Sequence, residues 1–458
     1  MATTYLTRTQ GSPTENKKFT VSCWFQASQV ADEMKLIYSD DNSTNNYTYI
    51  HFSDTSGRIR FQNRNGGSNN TELIWENNIR DFSAFYNLVM AVDSTQTTAS
   101  DRVKFYLNGV QQTVLDSSAN TFPPSDQTFT LNSGGYGVDI GANGFNNNAY
   151  FQGVMSYFAF IDGTQELPGI FGETDSTTGQ WKIKTTITPS VAWGANGFLI
   201  LKNGNSLTDE SSNSNNFTLG GGTLTKTESC PSNVFATMNR ASPTTAAFTA
   251  MGNGNLYNGS QSPNYWNAIP GTFAASSGKF YWEVKIEGVW GSTSNTTHRH
   301  GIANLNVDLN QKVGSTGDVA WTDDAIAAGW QNSSGVRYSN SVTGTSDYPT
   351  YVANDILMFA MDLDNLKLYL GKNGTWQNSG NPTSGASGTG AYTIPVAGIW
   401  TPYSETKYGS DTISWNCGNG HFRTTAISSA GTAASTPGIF EYDVPTSYQP
   451  MSTKGLNT

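Results

Sequence analysis

The segment KFYLNGVQQT, Lys104–Thr113, compresses a hairpin into ten residues: an alternating strand, an Asn-Gly turn and the start of a returning strand. Asn-Gly tolerates the positive φ angles of a tight two-residue turn, so this dipeptide between alternating runs predicts antiparallel pairing. A second segment, KLYLGKNGTW, Lys367–Trp376, repeats the pattern in the other half of the chain. Either one domain has been duplicated, or two domains share one physical solution. The flanking sequence decides between these.

Outward from the first hairpin the period stays at two. FTVSCWFQA, Phe19–Ala27, sets Phe19, Val21, Cys23 and Phe25 against Thr20, Ser22, Trp24 and Gln26. Further strand candidates follow at Tyr47–Phe52, Arg58–Phe61, Glu72–Trp75, Tyr86–Val92 and Tyr150–Asp162. Short strands at regular spacing with turn signals between them predict a sandwich or barrel. Alternation resumes at GKFYWEVKIEG, Gly278–Gly288, while the stretch between is rich in Ser, Asn, Gly and Thr.

A chain of 458 residues is too long for one ordinary core, so two are expected. Hydrophobic residues are 36% and charged residues 13%, which suits strands that commit half their side chains to a core and solubilise the rest with small polar groups. The predicted fold class is all-β: two antiparallel β-sandwich, jelly-roll-like domains joined by an irregular connector. The boundaries read as 1–167, a connector with some strand content at 168–250, 251–424, and a C-terminal tail at 425–458.

The net charge of -10 argues against a nucleic-acid partner, which requires a positive footprint. The N-terminus lacks the apolar core of a signal peptide, and no run approaches a membrane span, so a soluble chain without membrane insertion is expected. Cys23, Cys230 and Cys417 lie far apart in no metal-type spacing and read as free thiols.

The flanks of the two hairpins differ. Phe19, Thr20, Ser22 and Trp24, then Phe105–Gly109, then Phe151, Gly153 and Phe158 follow an order that resembles the laminin-G-like, concanavalin-A-like jelly roll over residues 1–165. Tyr281, Trp282 and Glu283, then Asp355, then Asp362–Asn365, then Ser414–Gly418 resemble a SPRY domain. Shared hairpin physics, and not duplication, then explains the echo. The opening YLTRTQGSPTENKKFTVSCWF, the connector IDGTQELPGIFGETDSTTGQWKIK and the later NGFLILKN and SNNFTL resemble segments of tail-fibre and other virion proteins of marine bacteriophages. That resemblance implies a non-enzymatic virion protein, a tail-fibre, surface-fibre or decoration component assembled in the host cytoplasm. Its implied partners are other virion proteins, copies of itself, as a trimer or other homo-oligomer, and a host-surface glycan or protein. The alternatives are a phage glycan depolymerase and a cellular carbohydrate-binding or adaptor protein.

No catalytic set stands out. Glycan hydrolysis needs two facing carboxylates. Glu283 and Glu287 share a strand face, but Lys285 stands where jelly-roll glucanases carry a further acid, so both read as structural. Asp362 and Asp364 read as turn caps, and His298-Arg299-His300 supplies too few ligands for a metal. No cofactor is expected. The laminin-G-like resemblance makes calcium the one metal to weigh, with Asp93 and Asp162 as oxygen donors, although Ser156 stands where the family often places an acid. In SPRY-like domains end loops build the ligand surface, which makes Trp290, Trp321, Tyr348, Tyr351 and Trp376 the candidate ligand-binding residues. Trp282, Trp330 and Trp415 read as core by strand position.

Overall fold

A computed structural model of the protein describes residues 3–29, 33–202, 204, 206–239, 251–252, 254, 256–258, 267–289, 298–306, 327–332, 337–339, 342–343, 348–408, 410–431 and 437–454. The chain divides into two compact units, Met1–Leu224 with Cys230–Ser232, and Thr225–Ser229 with Asn233–Thr458. Both are all-β, and the described helical residues are short 3-10 turns at Ala99–Asp101, Pro168–Ile170 and Pro382–Ser387.

In chain order the first unit contains β1 (Tyr5–Thr9), β2 (Lys18–Ala27), β3 (Lys35–Asp40), β4 (Tyr47–Phe52), β5 (Ile59–Asn65), β6 (Ser68–Trp75), β7 (Tyr86–Asp93) and β8 (Val103–Leu107). There follow β9 (Val110–Gln112), β10 (Leu115–Thr121), β11 (Gly137–Ile140), β12 (Gly153–Asp162), β13 (Gly172–Thr174), β14 (Trp181–Ile183), β15 (Phe198–Ile200) and β16 (Thr218–Gly221). An eight-stranded sheet runs β10-β6-β5-β4-β3-β11-β1-β16 and a six-stranded sheet β15-β12-β2-β7-β8-β9. Their facing sides bury Phe19, Val21, Cys23 and Phe25 from β2 against Ile50, Phe52, Ile59, Phe61 and Leu73. Each such large apolar side chain contributes roughly 1.5–3 kcal/mol.

The expected connector does not stand apart. β15 adds to the edge of β12 and β16 to the edge of β1. Phe198, Ile200 and Phe217 enter the first core, because two open sheet edges and an unfilled rim are cheaper to close than to leave. The first unit therefore continues to Leu224, and residues 240–250 at the end of the expected connector lie outside the described residues. Phe171 joins Val89, Tyr106, Ala159, Ile161 and Leu199 in a second cluster on the back of the six-stranded sheet, with Trp193 packed against it.

The decisive hairpin forms as expected. Leu107 pairs with Val110 across Asn108 and Gly109, at φ 49° and 77°. The second hairpin pairs Lys372 with Thr375 across Asn373 and Gly374, at φ 49° and 83°. Two positive φ values in a two-residue loop are the turn that matches strand twist. Gly109 has a further role: a Cβ there would lie 2.5 Å from the Trp181 ring, whose Nε1 donates to Asn87 Oδ1 at 3.0 Å.

In the second unit a nine-stranded sheet is centred on Lys279–Gly288, with Ile356–Asp362 and Thr412–Asn416 as neighbours, and a six-stranded sheet is centred on His298–Asn304 and Trp400–Thr406. Between them Trp282, Trp330, Trp400 and Trp415 are fully buried, three of them the residues expected in the core. The expected tail is docked within this unit. Phe440, Val444 and Tyr448 cover Tyr281, Met358, Ala360 and Tyr369 on the outer side of the nine-stranded sheet, and Gln449–Pro450 adds parallel to Lys279–Gly288.

Candidate functional site

The face of the eight-stranded sheet turned away from the core is built by alternation. In β4, Thr48, Ile50 and Phe52 point inward while Tyr47, Tyr49 and His51 point out, and β5 places Arg60, Gln62 and Arg64 beside them. In β3 a register shift between Lys35 and Ile37 sends Leu36 and Ile37 both into the core and leaves Lys35, Tyr38 and Asp40 on the outer face. Register then aligns three rows across the strands. The first is Lys35, His51, Arg60 and Ile74; the second is Thr7, Asp139, Tyr38, Tyr49, Gln62 and Glu72; the third is Asp40, Tyr47, Arg64 and Asn69.

The rings form a stack. Tyr47 and Tyr49 lie 5.2 Å apart at 13°, Tyr38 and Tyr49 6.4 Å apart at 18°, and Tyr38 and Tyr47 6.2 Å apart at 31°. Lys35 Nζ stands 4.2 Å from the Tyr49 ring centre and 3.0 Å from His51 Nδ1. Tyr49 donates to Gln62, and Arg60 pairs with Glu72. The middle of the lattice is buried side chain against side chain, while Tyr47, Arg60, Arg64 and Glu72 at its margin are half-exposed. On the far side Tyr5 and Tyr150 lie 6.3 Å apart.

Burial sets the protonation of this face. It pushes the Tyr38 and Tyr49 hydroxyls up, so both remain donors at neutral pH. Burial, reinforced by Lys35 and Arg60, pushes His51 well below its ordinary value, so the imidazole is neutral. Burial also raises the Asp40 and Asp139 carboxyls, against the Asn42 N–H at 2.8 Å and the Gly144 N–H at 3.0 Å that hold their charge. The half-exposed Tyr47 ring, backed by the buried Tyr38 and Tyr49 and flanked by Arg64, offers flat apolar area beside a polar donor, the chemistry that stacks on a sugar ring.

The residues singled out by sequence fall elsewhere. Trp290 and Trp321 lie outside the described residues. Tyr348 and Tyr351 are not loop anchors but core. Tyr348 packs 5.4 Å from the Trp330 ring, and the Tyr351 hydroxyl donates to the carbonyls of His298 at 3.2 Å and Trp330 at 3.1 Å. Their loop position gave no sign that backbone carbonyls inside the sandwich would require a buried hydroxyl. Trp376 is half-buried, edge-on to Tyr281 at 6.3 Å. The structure brings none of these onto a shared exposed surface among the described residues.

Asp93 and Asp162 do not fit a calcium ion. Asp162 accepts from the N–H groups of Thr14 at 2.7 Å, Glu15 at 3.2 Å and Asn196 at 3.1 Å, and from Asn132 Nδ2 at 2.8 Å. Asp93 accepts from Thr95 Oγ1 and Gln96 Nε2 and pairs with Lys18. A cation would displace donors already aimed at these oxygens. His298 lies 3.2 Å from Asp411, and His300 Nδ1 lies 2.8 Å from Ser404 Oγ, both inside the second unit. Glu283 is wholly buried. It accepts from Tyr281 Oη, Asn416 Nδ2 and the N–H groups of Glu441 and Tyr442, and burial pushes it up to about 7. Glu287 accepts from Ser414 Oγ at 2.7 Å.

The tyrosine lattice was missed by sequence reasoning, although its signal is present: YTYIHF alternates Tyr-Tyr-His with Thr-Ile-Phe, and IRFQNR then places Arg-Gln-Arg beside it.

No curated protein matches the chain. Among solved structures it is similar to the SPRY domain of human HERC1, at 14% identity, covering 34% of this chain and 85% of that one with a TM-score of 0.25. It is also similar to a heptameric SAP-like pentraxin from Limulus polyphemus, at 16% identity, 36% and 72% coverage and a TM-score of 0.27. Domain 4 of AbnA, a GH43 arabinanase from Geobacillus stearothermophilus solved with arabinotriose, gives 14% identity, 33% and 64% coverage and a TM-score of 0.25. Residues 1–166, the segment that supplies β1 to β12, match the laminin-G-type family model of the concanavalin A-like lectin/glucanases superfamily.

Proposed function

We propose that the protein is a non-enzymatic structural and adhesion component of a bacteriophage virion, a tail-fibre, surface-fibre or decoration protein that holds host-surface glycan through the outer face of its eight-stranded sheet. The observation that supports the adhesive part is the half-exposed Tyr47 ring, held in a stack by the buried Tyr38 and Tyr49, with Arg64 in register beside it. The virion part rests on the resemblance of the opening and connector segments to phage fibre proteins. Weak sugar contacts repeated over a homo-oligomer, a trimer or another closed ring, multiply into useful avidity. The phage assignment is tested by mass spectrometry of purified particles, and absence of the chain from intact virions overturns it. The adhesive assignment is tested on a glycan array, with Tyr47→Ala as the comparison.

One observation favours a second reading as a glycan depolymerase. Gly137 pairs with Asp40 and Asp139 with Tyr38, so the two acids are diagonal neighbours on the lattice. Diagonal neighbours stand about 7–8 Å apart, within the ~5–9.5 Å that separates glycosidase carboxylates. Reducing-sugar release from host polysaccharide that is lost in both Asp40→Asn and Asp139→Asn would establish this reading over the first.

A further inference from the structure

Arg64 is the odd charge on the lattice. Its guanidinium carbon lies 5.9 Å from the Tyr47 ring centre, its Nε is buried, and among the described residues no carboxylate or hydrogen-bond acceptor engages it. Arg60, two strand repeats away, has Glu72, and the other cation of the face, Lys35, has Glu33 at 3.9 Å. In a chain with 35 acidic residues against 25 basic ones, acids are in surplus, so a guanidinium on a sheet face would ordinarily find one. A planar cation held against a half-exposed ring, with its donors unspent, suits an oxyanion that arrives together with a stacking group.

Register gives this subsite an orientation. Asp40, Tyr47 and Arg64 face one another on β3, β4 and β5, so acceptor, ring and cation lie in one row across the strands. Asp40 is buried at one end of the row and Arg64 half-exposed at the other, so a sugar stacked on Tyr47 would turn an anionic substituent towards Arg64. Resting on the reading of this face as a glycan platform, we infer that the Asp40–Tyr47–Arg64 row is a subsite for an acidic sugar, a residue carrying a carboxylate or sulfate, within a host polysaccharide. A flat ring favours a pyranose over an extended acidic peptide, whose affinity would come from an open strand edge and not from a sheet face.

The test is binding of the full-length protein to alginate oligosaccharides, dextran sulfate, neutral dextran and poly-glutamate at low salt, for wild type, Arg64→Gln, Arg64→Lys and Tyr47→Ala, with thermal melts confirming that each is folded. The expected result is a preference of about ten-fold or more for an acidic over the neutral glycan, abolished by Arg64→Gln and partly kept by Arg64→Lys. The alginate and dextran sulfate arms decide between carboxylate and sulfate. Equal binding of acidic and neutral glycans, an acidic preference that survives Arg64→Gln, or poly-glutamate bound as tightly as alginate overturns the inference. Glycan binding that Tyr47→Ala leaves untouched, or no binding to any glycan, overturns the platform reading itself.

Discussion

The Glu283 carboxylate accepts the backbone N–H of Tyr442 at 2.9 Å and that of Glu441 at 3.0 Å, so a fully buried acid pins the segment that closes over the second sandwich. Burial holds this acid at about 7, against 4.5 for a free glutamate, despite its four donors. Tyr281, Tyr442 and Cys417 are the other titratable side chains facing it, and all stay protonated well above neutrality. Between pH 4.5 and 7 the folded form therefore binds a proton that the unfolded form has released, and stability falls as pH rises through that window. The second unit is expected to lose a few kcal/mol from pH 4.5 to 7.5, and Glu283→Gln to flatten that slope. Chemical denaturation at the two pH values measures both; a slope of the opposite sign refutes the assignment.

Truncating the same residue has a different signature. Glu283→Ala leaves the Glu441 and Tyr442 N–H groups buried without acceptors, a cost of about 3 kcal/mol. Hydrogen exchange should accelerate first at residues 440–448 and leave the first unit unchanged.

Gly109 and Gly66 both have positive φ, at 77° and 58°, but only Gly109 faces a neighbour where its Cβ would be. Gly66→Ala should cost about 1 kcal/mol from backbone strain alone. Gly109→Ala adds a collision with Trp181 and should cost about 2–4 kcal/mol. Equal melting points for the two variants would show that the Trp181 contact carries no stability.

Asp162 holds four donors from three separate segments of the first unit. Asp162→Ala is expected to destabilise that unit by about 3 kcal/mol. Neither calcium nor a chelator should move the melting temperature of the wild type. A calcium-dependent rise of several degrees would reverse the conclusion that these oxygens are committed to protein donors.

Two tyrosines separate packing from binding. Tyr351→Phe removes a hydroxyl that bridges two carbonyls and should cost about 1 kcal/mol with no change in glycan binding. Tyr47→Ala should abolish binding, and the loss of its two ring contacts should cost about 1–2 kcal/mol.

What the sequence made legible was whatever obeys local rules. The alternation of Phe19, Val21, Cys23 and Phe25 and the two Asn-Gly turns each rest on a period or a dihedral that neighbours determine. Tyr348 and Tyr351 misled because an aromatic in a loop reads the same whether it faces water or plugs the end of a core; only the position of distant carbonyls distinguishes the two. The connector misled for a related reason. Its short apolar run, Phe198–Leu201, reads as extended, but only the open edge of β12 shows where it pairs. The tyrosine lattice depends on the register of β3 against β4, which a one-residue bulge sets and no single segment reveals.

Glu283 and Glu441 stand 158 positions apart in the chain, so the clasp between them cannot form until the segment carrying Glu441 has been made. Contacts of such separation form slowly, because the loop must close before the bond rewards it. Without Phe440 and Tyr448 in place, Tyr281, Met358 and Tyr369 would lose their cover, and apolar side chains open on a sheet face favour association. Expression yield in variants of this clasp should therefore fall as that apolar face is uncovered, even where the core between the two sheets is untouched.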